Sequence, residues 1–382
     1  MKIAVLADFP KHRIEGYPQT GAPKGHHATW LPQTAESFAE IPGLEAHWIV
    51  MSAEVEQPLR LESFGQEFHV LPTSSRGRAS SLYRGDRRRI NETLRRIQPD
   101  LVHGWGSEDV YGWAAVRSGL PHLVSMQGIL THYITRNRMG GRDYLCAGIE
   151  WSMLRGATDV SCESRWAVDL LGRRRLRARL HQVEYGVDPR FYSVDWRPDP
   201  NRKAVVFVGT VTPRKGVEDL VRAFAQREMR ETELWICGGA SGPYADRLRG
   251  LATPNVKWLG YLGREETAER MARAWCLALP TRCDTSPNVV KEARVIGLPV
   301  VSTPCGGQSD YIEEGRNGFM VEPGEAEALR EALTRVTKDL GTCLAMGRWL
   351  HAEHRDYFRP GRTGRAFADV YESLLSQQPL AN

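Results

Sequence analysis

The chain has 382 residues but only 7 cysteines, at positions 146, 162, 237, 276, 283, 305 and 343, and no two of them form a C-x-x-C pair. An odd count without paired spacing argues against a disulfide framework and a zinc knuckle, and is expected of reduced thiols. Cys283 and Cys305 read as small hydrophobes in packing roles. No apolar run approaches the ~18 residues that a membrane-spanning helix needs. The start, Met1 to Asp8, turns acidic too soon for a signal peptide, so it is expected to be a first strand and the protein cytoplasmic. No short-period repeat or low-complexity tract is present. Charge of one sign is scarce as well: 51 Lys and Arg against 46 Asp and Glu leave +5. No aromatic-interleaved basic motif points to nucleic acid. No D-x-D stands at a strand end and no His/Cys cluster has ligand spacing, so no metal is expected.

What is present is the make-up of a globular protein, 41% hydrophobic and 25% charged, long enough for two or more domains. Short apolar segments alternate with helical patterns, the βαβ signature of parallel sheets. The first-half strands are expected near 2–7, 46–51, 67–71, 100–103, 122–126, 158–161 and 181–184. Tyr185-Gly186-Val187-Asp188-Pro189-Arg190-Phe191 and the polar stretch Asp195 to Lys203 follow, where the interdomain linker is placed. Strands resume at 204–209, 232–237, 255–259, 275–279 and 299–302, and after 325 the pattern is helical. Two arginine groups stand out: Arg84, Arg87, Arg88, Arg89, Arg95 and Arg96 on one predicted helix, then Arg173, Arg174, Arg175, Arg177 and Arg179. Solvated helix faces are the plain reading. A basic surface resting on anionic lipid or an acidic glycan is the sharper one.

The most informative stretch is Asp284-Thr285-Ser286-Pro287-Asn288-Val289-Val290-Lys291-Glu292, followed by the strand-like Gly297-Leu298-Pro299-Val300-Val301. A helix entered at Pro287 leaves its first N–H groups unpaired, and with the helix dipole they suit an anion such as a diphosphate. Glu292, on the first turns of that helix, is in reach of hydroxyls on whatever carries the phosphates. A second element, Phe207-Val208-Gly209-Thr210-Val211-Thr212-Pro213-Arg214-Lys215-Gly216, ends a strand at a glycine and sets two cations before a glycine that opens a helix. Developing phosphoryl charge needs positive charge of this kind.

The first stretch resembles the acidic-x7-acidic signature of the retaining family-4 glycosyltransferases (glycosyl transferase group 1), with Asp284 where Glu is usual. The second is similar to that family's G-R-x-x-x-x-K-G element, with Thr210 in place of the usual Arg. The resemblance implies an α/β GT-B fold, two facing Rossmann-like domains with parallel sheets and an interdomain cleft. Residues 1–195 would form an acceptor-binding domain, 196–355 a sugar-nucleotide domain, and 356–382 a helix crossing back to the first.

By the same resemblance, Arg214 and Lys215 hold the donor diphosphate with the helix start Ser286, Pro287, Asn288 and Val289. Asp284 contacts the donor sugar and Glu292 the ribose. Gly209, Gly238 and Tyr261 shape the nucleotide pocket, Cys305-Gly306-Gly307 lies beside the donor, and Gly21 belongs to a glycine-rich loop that approaches the phosphates. Gln127 stands where many members carry a histidine, and keeps hydrogen-bonding capacity without titrating near neutrality. His103 and Trp105 are acceptor-side candidates, with core packing as the alternative for each.

The implied activity is retaining, metal-independent transfer of a hexosyl unit from a UDP- or GDP-linked sugar, without a cofactor, to a glycan or lipid-linked hydroxyl in cell-surface polysaccharide synthesis. The chain would be cytoplasmic, at the inner face of the membrane if the arginines meet lipid. A sugar-nucleotide epimerase, a phosphorylase on the same fold, and a non-catalytic nucleotide- or glycan-binding relic stay open as alternatives.

Overall fold

The computed structural model describes residues 1–18, 28, 30–74, 76–136 and 139–377. The chain divides into two compact units, one of Met1–Gly186 with Pro360–Asn382, the other of Val187–Arg359. The first unit is built on an eight-stranded sheet: β1 (Lys2–Leu6), β2 (Glu45–Ser52), β3 (Leu59–Ser63), β4 (Gln66–Pro72), β5 (Leu101–Trp105), β6 (His122–Met126), β7 (Asp159–Cys162) and β8 (Arg179–Gln182). Their order is β3-β4-β2-β1-β5-β6-β7-β8. All neighbours are parallel except β3 and β4.

Ile3, Ala4, Val5 and Leu6 are all fully buried, because a central parallel strand is covered on both faces and so reads as an unbroken apolar run. Ile3 and Val5 join the core under the helix Leu31–Ala39, while Ala4 and Leu6 join the one under Arg84–Ile97 and Val110–Val116. The last helix, Pro360–Ser376, belongs to this unit through Phe367 and Tyr371, whose rings meet Phe38 at 6.2 and 6.1 Å. β3 was not among the expected strands. Its signal is the two-residue turn Phe64-Gly65, both at positive φ (54° and 67°), which closes a tight antiparallel hairpin.

The second unit carries β9 (Ala204–Val208), β10 (Glu233–Cys237), β11 (Val256–Gly260), β12 (Cys276–Leu279), β13 (Val300–Ser302) and β14 (Gly318–Met320). The order β11-β10-β9-β12-β13-β14 is that of a doubly wound nucleotide-binding sheet, and every neighbouring pair is parallel. The direction of winding reverses between β9 and β12, and ligands bind outside the carboxyl ends of strands at such a point.

The chain passes into the second unit after Gly186, ahead of the linker expected near Asp195. Val187 and Phe191 are buried in the second core and Trp196 donates its indole N–H to Ala274 O (2.8 Å), so this stretch is already part of that unit.

Candidate functional site

Loops from β9, β12 and β13 converge at the reversal point of the second sheet. After β9, Pro213-Arg214-Lys215 forms a single tight turn capped by Gly216 at φ 68°. A Cβ there would lie 1.9 Å from Pro280 O, so the approach of this turn to the end of β12 requires glycine. The contact is fastened by Arg282 N donating to Arg214 O (2.7 Å) and Arg214 Nη1 donating to Cys283 O (2.7 Å).

Three of the sequence candidates come together here. Lys215 Nζ forms an ion pair with Asp284 Oδ2, and Arg214 Nη1 lies 3.5 Å from the same oxygen. Burial would raise the Asp284 carboxyl, but the charges of Lys215 and Arg214 outweigh it and hold the group below its usual range. Gly306, from the loop after β13, pairs with Asp284, whose N–H donates to Cys305 O (3.2 Å). A Cβ on Gly306 would sit 1.6 Å from Asp284 O. Asp284 is therefore fixed at its backbone and at its carboxylate.

The helix Asn288–Ile296 starts just beyond, with Pro287 at its N-cap. Ser286 Oγ, at the foot of this helix, is buried and finds no hydrogen-bond partner among the described residues. Val289 is buried and Asn288 half-buried. Gly209 and Gly238 adopt φ of 147° and 149°, and a Cβ on Gly238 would meet Gly209 O at 2.1 Å, so both glycines serve the close passage of strand ends. Tyr261 is 72% exposed. Gly21 lies outside the described residues.

Glu292 makes a different contact. Its Oε1 accepts from Arg264 Nη2 (2.7 Å), and Arg264 Nε lies 3.5 Å from Asp188 Oδ2 while its guanidinium covers the Phe191 ring at 4.6 Å. Asp188 in turn takes two hydrogen bonds from the Arg190 side chain, 2.9 and 2.7 Å, and Arg190 Nη1 reaches Glu265 Oε1 (3.0 Å). Arg264 was missed in the sequence. The available signal was its place at the start of the helix Arg264–Arg273, right after the Gly260-Tyr261-Leu262-Gly263 turn.

In the first unit, His103 and Trp105 leave the acceptor-side set. His103 is fully buried, with Nδ1 2.7 Å from the Tyr371 hydroxyl and Nε2 2.6 Å from Ser125 Oγ, and its ring stacks on Trp105 at 4.5 Å. Burial drives the imidazole down to about 3. Both point into the core under the last helix, because their position in β5 faces Phe367. Gln127 directly follows β6 and is half-buried.

Beside it the structure places Glu108, another residue that the sequence reading missed. Its two oxygens accept from Ser107 N (3.0 Å) and Gly128 N (2.8 Å). Burial pushes its carboxyl up to about 7, with the charge of Glu150 adding to the effect and the backbone donors opposing it. Glu150 is fully buried and accepts from Ser107 Oγ, Leu130 N, and Thr131 N and Oγ1 at 2.6–2.9 Å.

A profile described as "Glycosyl transferases group 1" matches residues 202–339, and one described as "Glycosyltransferase Family 4" matches 33–191. The two lie on the two units and span most of the chain. The chain belongs to the family-4 glycosyltransferases. Sulfoquinovosyl transferase SQD2 of Arabidopsis thaliana is 28% identical over 311 residues, covering 75% of this chain and 59% of its own. The chain spans about half the length of the curated relatives it matches. Among solved structures, sucrose-phosphate synthase from Thermosynechococcus elongatus superimposes with a TM-score of 0.81 at 19% identity, over 99% of this chain and 100% of that one. The Anabaena HepE protein in complex with UDP-glucose does so at 0.72 and 18% identity, over 98% and 100%. These likenesses show that the fold is GT-B. No described helix is long and apolar enough to cross a membrane.

Proposed function

We propose that this family member is a retaining, metal-independent hexosyltransferase that takes its sugar from a UDP- or GDP-linked donor and passes it to a hydroxyl of a glycan or lipid-linked acceptor in cell-surface glycan synthesis. The observation that carries the reading is the grouping of Lys215 and Arg214 on Asp284 at the reversal point of the second sheet, beside the start of the helix Asn288–Ile296. Both cations lean on one carboxylate, which leaves one positive charge in excess at this place. A diphosphate seated at the helix start would take them over, and Asp284 would then be free to accept from donor-sugar hydroxyls. Ser286 Oγ supplies a further donor at the same place. Glu292, held by Arg264, faces the ribose in this reading. Gly209, Gly238 and Tyr261 flank the nucleotide.

The acceptor hydroxyl attacks the anomeric carbon on the face that the diphosphate leaves, and a diphosphate oxygen receives its proton. Catalysis is then placement and electrostatics, with Lys215, Arg214 and the helix N-terminus stabilising the leaving group. Removing one of these charges costs on the order of a hundredfold in rate. The HepE complex with UDP-glucose supports a nucleotide-sugar donor, and the name of the Arabidopsis relative supports transfer of a glycosyl unit. The exposed arginines Arg84, Arg88, Arg89, Arg95 and Arg96 suit an anionic membrane face near such an acceptor.

The test is release of nucleoside diphosphate from a panel of UDP-, GDP- and ADP-sugars in the presence of EDTA, with wild type compared with Lys215→Ala and Glu292→Ala. Release from one donor, lost in both variants, is expected and names the sugar. Thermal stabilisation by nucleotides without release from any donor, even with added glycan and lipid acceptors, would support the binding-protein alternative instead. Neither binding nor release would overturn the site.

A further inference from the structure

The first unit gathers a second set of chemically active side chains, away from the carboxyl ends of its strands. His47, near the start of β2, and Glu67 and His69, near the start of β4, project from one face of two neighbouring parallel strands, with His47 and Glu67 directly paired in register. Their ligand atoms all lie within 4.8 Å of one another. The separate distances are more telling. His47 Nδ1 is 3.3 Å from His69 Nε2, His69 Nε2 is 3.3 Å from Glu67 Oε2, and Glu67 Oε2 is 3.5 Å from His47 Nδ1. With zinc bonds of about 2.0–2.1 Å, the edge of a tetrahedron around the ion is about 3.4 Å. The three atoms thus already form one face of such a tetrahedron.

The surroundings fit the same chemistry. His47 Nε2 is 2.9 Å from Glu45 Oε1, and because a carboxylate only accepts, that nitrogen carries the ring proton. In the neutral ring of that tautomer, Nδ1 of His47 offers its lone pair toward His69 Nε2 and Glu67 Oε2. A ligating histidine whose second nitrogen donates to a carboxylate is the usual outer arrangement of a metal site. Glu67 divides its oxygens in the same sense: Oε1 pairs with Arg60 and Oε2 faces the histidines. His47 and His69 are 9% and 15% exposed at the side chain and Glu67 is 30% exposed, so solvent reaches the cluster at Glu67 and a water would be the fourth ligand.

We propose that His47 Nδ1, His69 Nε2 and Glu67 Oε2 bind one divalent transition-metal ion of the zinc type, with Glu45 as the partner that orients His47. Such an ion ties β2 to the edge hairpin of β3 and β4. The sequence reading expected no metal because the ligands do not sit at a recognisable spacing: His47 is brought to Glu67 and His69 only by strand pairing. The site takes no part in the transfer reaction proposed above, so its fate and that reading are separable.

The test uses the full chain, freed of metal with EDTA and exchanged into chelator-free buffer. Cobalt(II) is added while the visible spectrum is followed, and zinc(II) is measured by competition with a chromophoric chelator. One equivalent of cobalt with the strong visible bands of a four-coordinate nitrogen and oxygen site is expected. Zinc at about a hundred times its dissociation constant should raise the melting temperature by about 5 °C or more. His69→Ala and His47→Gln should lose the bands and the shift. Glu45→Gln, which removes no ligand, should weaken zinc by about 10–100-fold. Arg60→Gln, which frees Glu67 from a mostly exposed guanidinium, should bind more tightly than wild type. Circular dichroism and metal-free melting of each variant separate loss of binding from loss of fold. Absence of a stoichiometric complex in wild type, or binding that persists in the His47→Gln/His69→Ala double variant, would overturn the proposal.

Discussion

An Arg264→Met substitution takes away the guanidinium that donates to Glu292 Oε1 across 2.7 Å. The Glu292 side chain is only 4% exposed, so its charge would be left with little water to solvate it. Breaking one partner out of a buried pair costs about 3–5 kcal/mol. Arg264 is itself 26% exposed, and methionine keeps an apolar cover on the Phe191 ring, so the lower end, about 3 kcal/mol, applies. For a unit of this size that corresponds to a fall in melting temperature of about 6–12 °C.

The second half of the cycle is decisive. Glu292→Gln alone leaves Arg264 facing Asp188, which holds it at 3.5 Å, and should cost about 1 kcal/mol. The double variant Arg264→Met/Glu292→Gln carries no stranded carboxylate and should recover much of the loss, giving a coupling energy of about 1.5 kcal/mol or more. The assay is calorimetric melting of the four proteins, reading the transition of the second unit. A single-variant loss below about 2 °C, or additive effects in the double variant, would refute the argument that Glu292 depends on Arg264.

Other outcomes follow from the same geometry. Gly306→Ala drives a Cβ to within 1.6 Å of Asp284 O and must displace the Asp284 loop, so it should lower the melting temperature and reduce donor turnover by tenfold or more on the order of a lost catalytic contact; full activity in this variant would show that the pairing of Gly306 with Asp284 is dispensable. Glu108 has a folded pKa of about 7 against an ordinary 4.5, so the folded protein holds the extra proton. Its contribution to stability is complete below about pH 4.5 and is lost as pH rises through 7, at most about 3 kcal/mol in all. Glu108→Gln should therefore gain on wild type between pH 5 and pH 8; equal melting differences at both pH values would remove Glu108 as the cause. Lys215→Ala should cut nucleoside diphosphate release by about a hundredfold while Lys215→Arg restores part of it, since a charge and not a shape is required; equal loss in both would point to the ammonium geometry instead.

The alternation of apolar strands and helices, read from the sequence, placed five of the six strands of the second sheet, all but the short β14, within about two residues, because buried parallel strands leave unbroken apolar runs with glycine at their ends. The same runs located the elements of the candidate site: the pair Arg214-Lys215 and the helix start after Ser286 are local, carried by glycine turns and a proline that any reader of the chain can find. β3 escaped because its alternating Leu59 and Leu61 face a half-solvated sheet edge, and its signal lay in the Phe64-Gly65 turn instead. Contacts between residues far apart in the chain were a different matter. That Lys215 meets Asp284, that Glu292 is held by Arg264 and Asp188, and that His103 turns into the core toward Tyr371 all depend on which strands lie side by side. So does the meeting of His47 with Glu67 and His69. Strand order is settled by the packing of whole helices across the sheet. Local periodicity determines which residues form strands and helices, and only the assembled sheet determines which charges become neighbours.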